Sequence, residues 1–376
     1  MSFLEGNAMQ KIKNVIKNSP FLGALYSGML GICIFFLRHM IRVNDKQIMF
    51  ASYSGRQISD TPLAAYQILK ADPEFEDYHF VWAVNQPGNF PEFEDVEQVK
   101  MDSIGYFIQL LKSKYWISNA SIERLIPFKH PNNIYIQFWH GVPLKTLGHS
   151  EPDLPHLVQR WYDHVELDYL FAYSSYDAEK LHGLFPQTKQ VVERGQLRKW
   201  LSDQVQPDLA LKAQLGNDKP VLLYVPTYRN DQQIEAFLNT DELTDLMHDY
   251  QVIYRGHYFS ERTDLPGLID GNQFDLYQLF AVADLLITDY SSVMFDFAYW
   301  QKPIYLYAPD LENYQATRGF FLNPKSLGLP VVESFDDLKT TLTAAEPMTD
   351  VLQALEMTYD PHDVDQTIEA FKACFK

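Results

Sequence analysis

An α/β fold with two doubly wound parallel sheets is what this 376-residue sequence predicts, and three observations predict it. After Asn44, short apolar strands alternate with amphipathic stretches. The strands are apolar on both faces, as strands covered by helices on each side must be. A polar segment holding two prolines, 203–220, divides them into two series. Strand and helix in alternation imply right-handed crossovers within each sheet.

The first series places strands at 47–52, 78–84, 115–118, 133–139 and 169–173, and the second at 220–227, 250–257, 284–289 and 303–309. Each is a run of β-branched, aromatic and aliphatic residues bounded by polar or turn-forming ones. Helices are expected at 61–70, 103–111, 274–282 and 292–300, where the apolar period lengthens. The expected divisions are a basic, apolar segment at 1–45, one Rossmann-like domain at 46–205 and a second at 206–376. No internal repeat or low-complexity tract interrupts them. Two such domains make a cleft, and ligands of open parallel sheets bind beyond the carboxyl ends of the strands.

Composition narrows the function. With 46% hydrophobic and 21% charged residues the chain is globular, and its net charge of −18 argues against a general nucleic-acid binder. Two cysteines, Cys33 and Cys374, offer neither a disulfide framework nor a cysteine metal site. Through residue 45 the balance reverses: Lys11, Lys13, Lys17, Arg38 and Arg42 stand against Glu5 and Asp45. Between the cations lie 17 uncharged residues, Phe21 to Leu37. That run is at the lower limit of ~17 residues for a bilayer span. It can span, lie in the interface, or pack as a buried helix. Cations on both flanks suit a helix lying on an anionic surface, so residues 11–42 are expected to contact the cytoplasmic membrane face in a peripheral or monotopic manner.

Polar residues gather at the expected strand ends. "NIYIQFW" runs into His140, Gly141 and, after Pro143, Lys145. An imidazole there is either a general base or a satisfied core histidine, and Lys145 either neutralises an anion or is solvated. "LLYVPTYR" ends in Thr227 and Arg229, and "VIYRGHY" in Arg255 and His257; phosphate recognition and plain turns both fit these. "DLLITDYSSVMFDF" brings Thr288, Asp289, Ser291 and Ser292 to a helix start, a pattern that favours anion binding over capping alone. Arg318 follows the next strand, as a phosphate contact or a surface ion pair. In "SYSGRQISDTP", which carries Asp60, Gly55 marks a close approach, with an acceptor as one candidate. There is no P-loop, no G-x-S-x-G elbow and no H-E-x-x-H. "DVD" at 363–365 lies far from any strand end and is not read as a metal site. No cofactor is identified, and the residues leave metal dependence open.

"WHGVPLK", "YVPTYR", "YRGHY", "ITDYSSVMFDFAYWQKPIYLYAPD" and "RGFF" together resemble the CDP-glycerol glycerophosphotransferases of teichoic acid synthesis, as does "SYSGRQISDTP". The resemblance covers most of 47–325. It implies a GT-B-like fold, an acceptor domain at 46–205 and a CDP-donor domain at 206–376. It also implies transfer of glycerol phosphate from CDP-glycerol to a hydroxyl of a lipid-linked, undecaprenyl-type acceptor, releasing CMP. By the same resemblance His140 is the general base, His257 a phosphate contact, Ser291 and Ser292 hold the donor diphosphate, and Thr227 and Arg229 fall in a matching block; from their places at the strand ends Thr288 and Arg318 join the expected diphosphate contacts. The family's "GYPRND" block departs here to "GQLRKW", where Arg198 keeps the arginine position. Chain length leaves no room for a long acceptor module, which favours a primase over a processive polymerase. The alternatives are a ribitol-phosphate transferase, a sugar-nucleotide glycosyltransferase on the same architecture, or a noncatalytic membrane-surface scaffold.

Overall fold

The computed structural model describes residues 15–152, 154–206, 209–215, 219–227, 238–256 and 265–376. They form two compact units. Of these described residues, those through 140, from 147 to 198 and from 362 on make the first, and 141–146 with those from 199 to 361 make the second. The chain therefore leaves the first unit directly after His140 and returns at Leu147, and its last helix belongs with the first sheet. A single division at 205/206 does not describe this, because sequence order hides both the short excursion and the return of the C terminus.

The first unit holds seven parallel strands: β1 (Asn44–Ala51), β2 (His79–Val84), β3 (Glu97–Lys100), β4 (Ser113–Ser118), β5 (Ile134–Gln137), β6 (Tyr169–Ala172) and β7 (Gln190–Glu193). Their order is β3-β2-β1-β4-β5-β6-β7, so the winding reverses between β1 and β4. Those central strands are the driest: Ile48, Met49, Phe50, Trp116 and Ile117 are fully buried. Helices α1 (Pro20–Met40), α2 (Asp60–Lys70), α3 (Ile104–Lys112), α4 (His156–His164) and α5 (Ser175–Leu184) belong to this unit.

The second unit holds six parallel strands: β8 (Val221–Val225), β9 (Gln251–Tyr254), β10 (Ile269–Asp270), β11 (Leu285–Thr288), β12 (Ile304–Tyr307) and β13 (Val331–Val332). The order β10-β9-β8-β11-β12-β13 reverses between β8 and β11. Around it run α6 (Arg198–Gln204), α7 (Leu209–Leu215), α8 (Thr240–Asp249), α9 (Leu276–Val282), α10 (Val293–Ala298), α11 (Leu311–Thr317), α12 (Phe335–Ala344) and α13 (Thr349–Tyr359). Helix α14 (Val364–Ala373) closes on the first unit, where Phe371 meets Phe138 at 5.8 Å between ring centroids. The "DVD" stretch is its start: Asp363 caps the helix by accepting from the Asp365 N–H. One lysine serves as a C-terminal cap in the second unit. Lys302 Nζ donates to the carbonyls of Phe280, Ala281 and Ala283 at the end of α9.

Helix α1 has a mean hydropathy of 1.9 over its most apolar window, and by length and composition can cross a membrane. It starts at the Ser19 cap, whose hydroxyl accepts from the Leu22 N–H. One seam, Gly23, Ser27, Leu30, Ile34 and Leu37, is buried or packed against the first unit's core. A Cβ at Gly23 would come within 3.1 Å of Leu157, so the glycine sets how closely α1 lies on α4. The other seam presents Phe21, Leu25, Met29, Ile32, Phe36 and Met40 outward. This helix is therefore docked lengthwise and apolar on both sides.

Candidate active site

Both strand-order reversals carry the polar residues that matter, as the geometry of doubly wound sheets favours. In the first unit β1 ends into Tyr53 and β4 into Asn119. Asn119 is fully buried and works in three directions. Its Oδ1 accepts from the Tyr53 N–H at 2.8 Å, its Nδ2 donates to Asp60 Oδ2 at 2.6 Å, and its carbonyl takes the His140 Nδ1–H at 2.7 Å. A carbonyl only accepts, so the imidazole proton sits on Nδ1 and the lone pair on Nε2. That is the tautomer a general base needs.

Asp60 is 4% exposed and collects charge and hydrogen bonds from three sides. Tyr53 donates its hydroxyl to Oδ2 at 2.7 Å, and Arg198 Nε lies 3.1 Å from Oδ1. Arg198 is itself buried and stacks its guanidinium 5.4 Å above the Tyr173 ring. The departing "GQLRKW" loop thus has a defined job. Gln196 donates to the carbonyls of Phe138 and Phe171 at the ends of β5 and β6, and Arg198 neutralises Asp60.

Backbone strain concentrates here. Tyr53, Ser54, Asp60 and Trp139 all have left-handed φ, between 46° and 59°. Each such residue costs on the order of 1–3 kcal/mol and persists only where its surroundings over-determine it. The Trp139 ring is anchored 5.3 Å from Phe185 in the core and lies 4.3 Å from the His140 ring. Asp60 thereby enters as a support for this network. Gly55 answers differently from the expectation of an acceptor: a Cβ there would meet the protein's own Met101 at 2.5 Å.

The second unit begins its contribution with the strap 141–146. A Cβ on Gly141, whose φ is 144°, would lie 2.2 Å from Ser292 Oγ. Only glycine lets the strap rest against the serine turn. The strap then pairs with the "RGFF" segment. Lys145 and Phe320 form an antiparallel bridge, Phe321 N–H donates to the Leu144 carbonyl at 2.9 Å, and Thr146 donates its hydroxyl to the Arg318 carbonyl. Lys145 and Arg318 are half-buried, at neighbouring positions of this pairing.

Four of the anticipated site residues at the strand ends separate by role. Thr288 is fully buried and donates its hydroxyl to the Val225 carbonyl at 2.6 Å, tying β11 to β8. Its hydroxyl serves as a latch between the two strands. Asp289 is likewise buried; its carboxylate accepts from the Thr227 and Tyr290 N–H groups. Ser291 and Ser292 are half-exposed, and Ser292 begins α10 without a side-chain cap. The Ser291 hydroxyl accepts only a long 3.4 Å bond from the Val293 N–H. Since α10 has six residues, its dipole is weak, and the two hydroxyls would offer an anion the stronger contact. Arg255, expected to face a ligand, instead donates through Nη1 to the Gly271 and Phe274 carbonyls, both at 2.7 Å. Arg229 and His257 lie outside the described residues.

Sequence reasoning missed Asn119, Tyr53 and Tyr290. Tyr290 is fully buried, donates to Asp310 at 2.9 Å and packs 4.3 Å from Tyr314. The signal for Asn119 was an asparagine closing a buried strand, where an unpaired amide is too costly to leave alone.

Residues 33–360 match the family described as CDP-Glycerol:Poly(glycerophosphate) glycerophosphotransferase. A teichoic acid poly(glycerol phosphate) polymerase of Bacillus spizizenii is 31% identical, with 83% of this chain and 85% of that protein covered. A teichoic acid ribitol-phosphate primase of the same species is 25% identical, at 93% and 95% coverage. The chain spans less than half the length of two further polymerases, 47% of the Bacillus subtilis protein and 43% of the Staphylococcus epidermidis one. In fold it is similar to the wall teichoic acid polymerase TagF, solved as a variant soaked with CDPG, at a TM-score of 0.77, 24% identity, and 94% and 97% coverage. That likeness is to a GT-B-like architecture with two parallel sheets. The chain belongs to the CDP-glycerol:poly(glycerophosphate) glycerophosphotransferase family.

Proposed function

We propose that this protein transfers glycerol phosphate from CDP-glycerol to a hydroxyl of a lipid-linked acceptor in teichoic acid synthesis. The acceptor oxygen attacks the phosphorus of the glycerol phosphate, the bond to CMP breaks, and His140 Nε2 takes the hydroxyl proton. Phosphoryl transfer asks little covalent work of a protein; positioning and charge stabilisation carry most of it. The first unit serves the acceptor and the second the donor, with Ser291, Ser292 and Arg318 at the diphosphate. Arg229, His257 and Lys145 would add positive charge around it, and Thr227 a hydroxyl. The observation that carries this reading is the approach of Gly141 to Ser292. The residue peptide-bonded to the base rests against the turn that offers the hydroxyls.

The enzyme works on the cytoplasmic membrane face, with α1 lying in the interface. A helix docked lengthwise on its domain cannot leave it to span a bilayer without abandoning Ile34 and its neighbours. Its outward apolar seam fits burial among acyl chains. The primase expectation lacks support from length, because a polymerase is covered over 85% of its own extent. A ribitol-phosphate donor is the second reading, favoured by full-length similarity to the ribitol-phosphate primase.

Purified full-length protein incubated with CDP-glycerol and a lipid-linked disaccharide acceptor is expected to release CMP. Release from CDP-ribitol and none from CDP-glycerol would overturn the donor assignment.

A further inference from the structure

A cavity of about 440 Å³ opens in the first unit where α1 ends. Its walls carry Arg38 from the last turn of α1, Arg42 from just beyond it, Lys114 from β4, and His130, against a single carboxylate, Asp45. Lys114 reaches Asp45 only at 3.9 Å. Neither Arg38 nor Arg42 has a carboxylate within 4.0 Å among the described residues; Arg38 instead lies 5.3 Å over the Phe35 ring. Cations at a helix C-terminus are ordinarily explained by the dipole. Here His39 already meets that need through the Phe35 carbonyl, and Arg42 lies beyond the helix. Burial first, then the charges of Arg38, His39 and Lys129, hold the His130 pKa below its usual value. The cavity is a concave, positive site in a chain of net charge −18.

Its neighbourhood indicates the ligand. The outward apolar row of α1 ends at Met40, two residues before Arg42, and the exposed Phe35 ring lies 5.3 Å from the Arg38 guanidinium. A phosphate ester seated among the cations would have hydrocarbon surface beside it. A free phosphate has no use for that surface, whereas a phospholipid uses both. We infer that this cavity seats the headgroup phosphate of an anionic phospholipid, with the acyl chains along the exposed seam of α1. The inference rests on the membrane-contact reading of α1, and it adds a defined headgroup site. The site also explains how an acidic protein approaches an acidic bilayer, by gathering its attraction at one place.

The test uses the full chain in co-sedimentation with vesicles of phosphatidylcholine alone or mixed with phosphatidylglycerol. The wild type is expected to bind both and to prefer the mixed vesicles. The double variant Arg38→Gln/Arg42→Gln should lose about 10–30-fold on mixed vesicles and nothing on phosphatidylcholine. A charge-matched control outside the cavity wall, Lys70→Gln/Lys100→Gln, should lose less than about 3-fold. If the control loses as much, the attraction is diffuse and the headgroup site is overturned. Soluble dihexanoyl-phosphatidylglycerol should compete, and inorganic phosphate should not; equal competition by phosphate overturns the lipid assignment. A wild type that ignores both vesicle types sinks the membrane reading and this inference with it. A double variant that matches wild type on both sinks the inference alone.

Discussion

At the reversal of the first sheet, polar side chains bind one another: Asp60, Tyr53, Asn119 and Arg198 hold His140 in one tautomer. At the reversal of the second, the inner residues Thr288 and Asp289 are taken up by the backbone, while Ser291 and Ser292 remain half-exposed. One region fixes a single reactive atom and tolerates strain to do so. The other offers hydroxyls along a turn. That difference is the one the proposed roles require: a group that moves a proton must be aimed, whereas groups that grip an anion need only be available.

Replacing His140 by Ala tests the aimed region most directly. Turnover is expected to fall by about 10²–10⁴-fold, with KM for CDP-glycerol and thermal stability little changed. Unchanged turnover would remove the base. Asp60→Asn keeps a residue tolerant of left-handed φ while removing the carboxylate charge 3.1 Å from Arg198. It should cost about 3–5 kcal/mol in denaturant unfolding and lower kcat more than it raises KM.

A second buried carboxylate sharpens the contrast within the first unit. Among the described residues no arginine pairs with Glu123, which accepts from the Phe128 and Lys129 N–H groups, both at 3.0 Å. Burial raises its pKa from 4.5 to about 7. Since the folded-state value is the higher one, its contribution to stability is complete below pH 4.5 and is lost as pH rises through about 7. Unfolding free energies of wild type and Glu123→Gln, compared across that window, should diverge by no more than about 3 kcal/mol, the wild type falling as pH rises. A parallel pair of curves would refute the burial argument.

In the gripping region Ser292→Ala should raise KM for CDP-glycerol about 10-fold, through loss of one hydrogen bond to a charged group. Thr288→Val is the smallest change. It should cost about 1 kcal/mol of stability and leave KM where it was, marking the boundary between latch and ligand.

The central strands were legible because burial on both faces leaves an unbroken apolar run, as in β1, β4, β8 and β11. The strands that sequence reasoning passed over are β3, β7, β10 and β13, the four edges of the two sheets. Edge strands are short and half-wet, so Glu97–Lys100 and Gln190–Glu193 carry polar residues that look like loop. The expected strand at 133–139 also overran, because Phe138 and Trp139 are apolar yet Trp139 has left the extended region. His140, Ser291 and Ser292 could be singled out from their place after apolar runs. Their supports could not, since Asn119, Tyr53 and Arg198 come from three distant stretches that only the sheet order unites.

The two-sided character of α1 has a practical corollary. In plain buffer its outward row of Phe21, Leu25, Met29, Ile32, Phe36 and Met40 finds no acyl chains, and copies of the protein are each other's nearest oily surface. Aggregation number should therefore fall when detergent or nanodiscs are supplied.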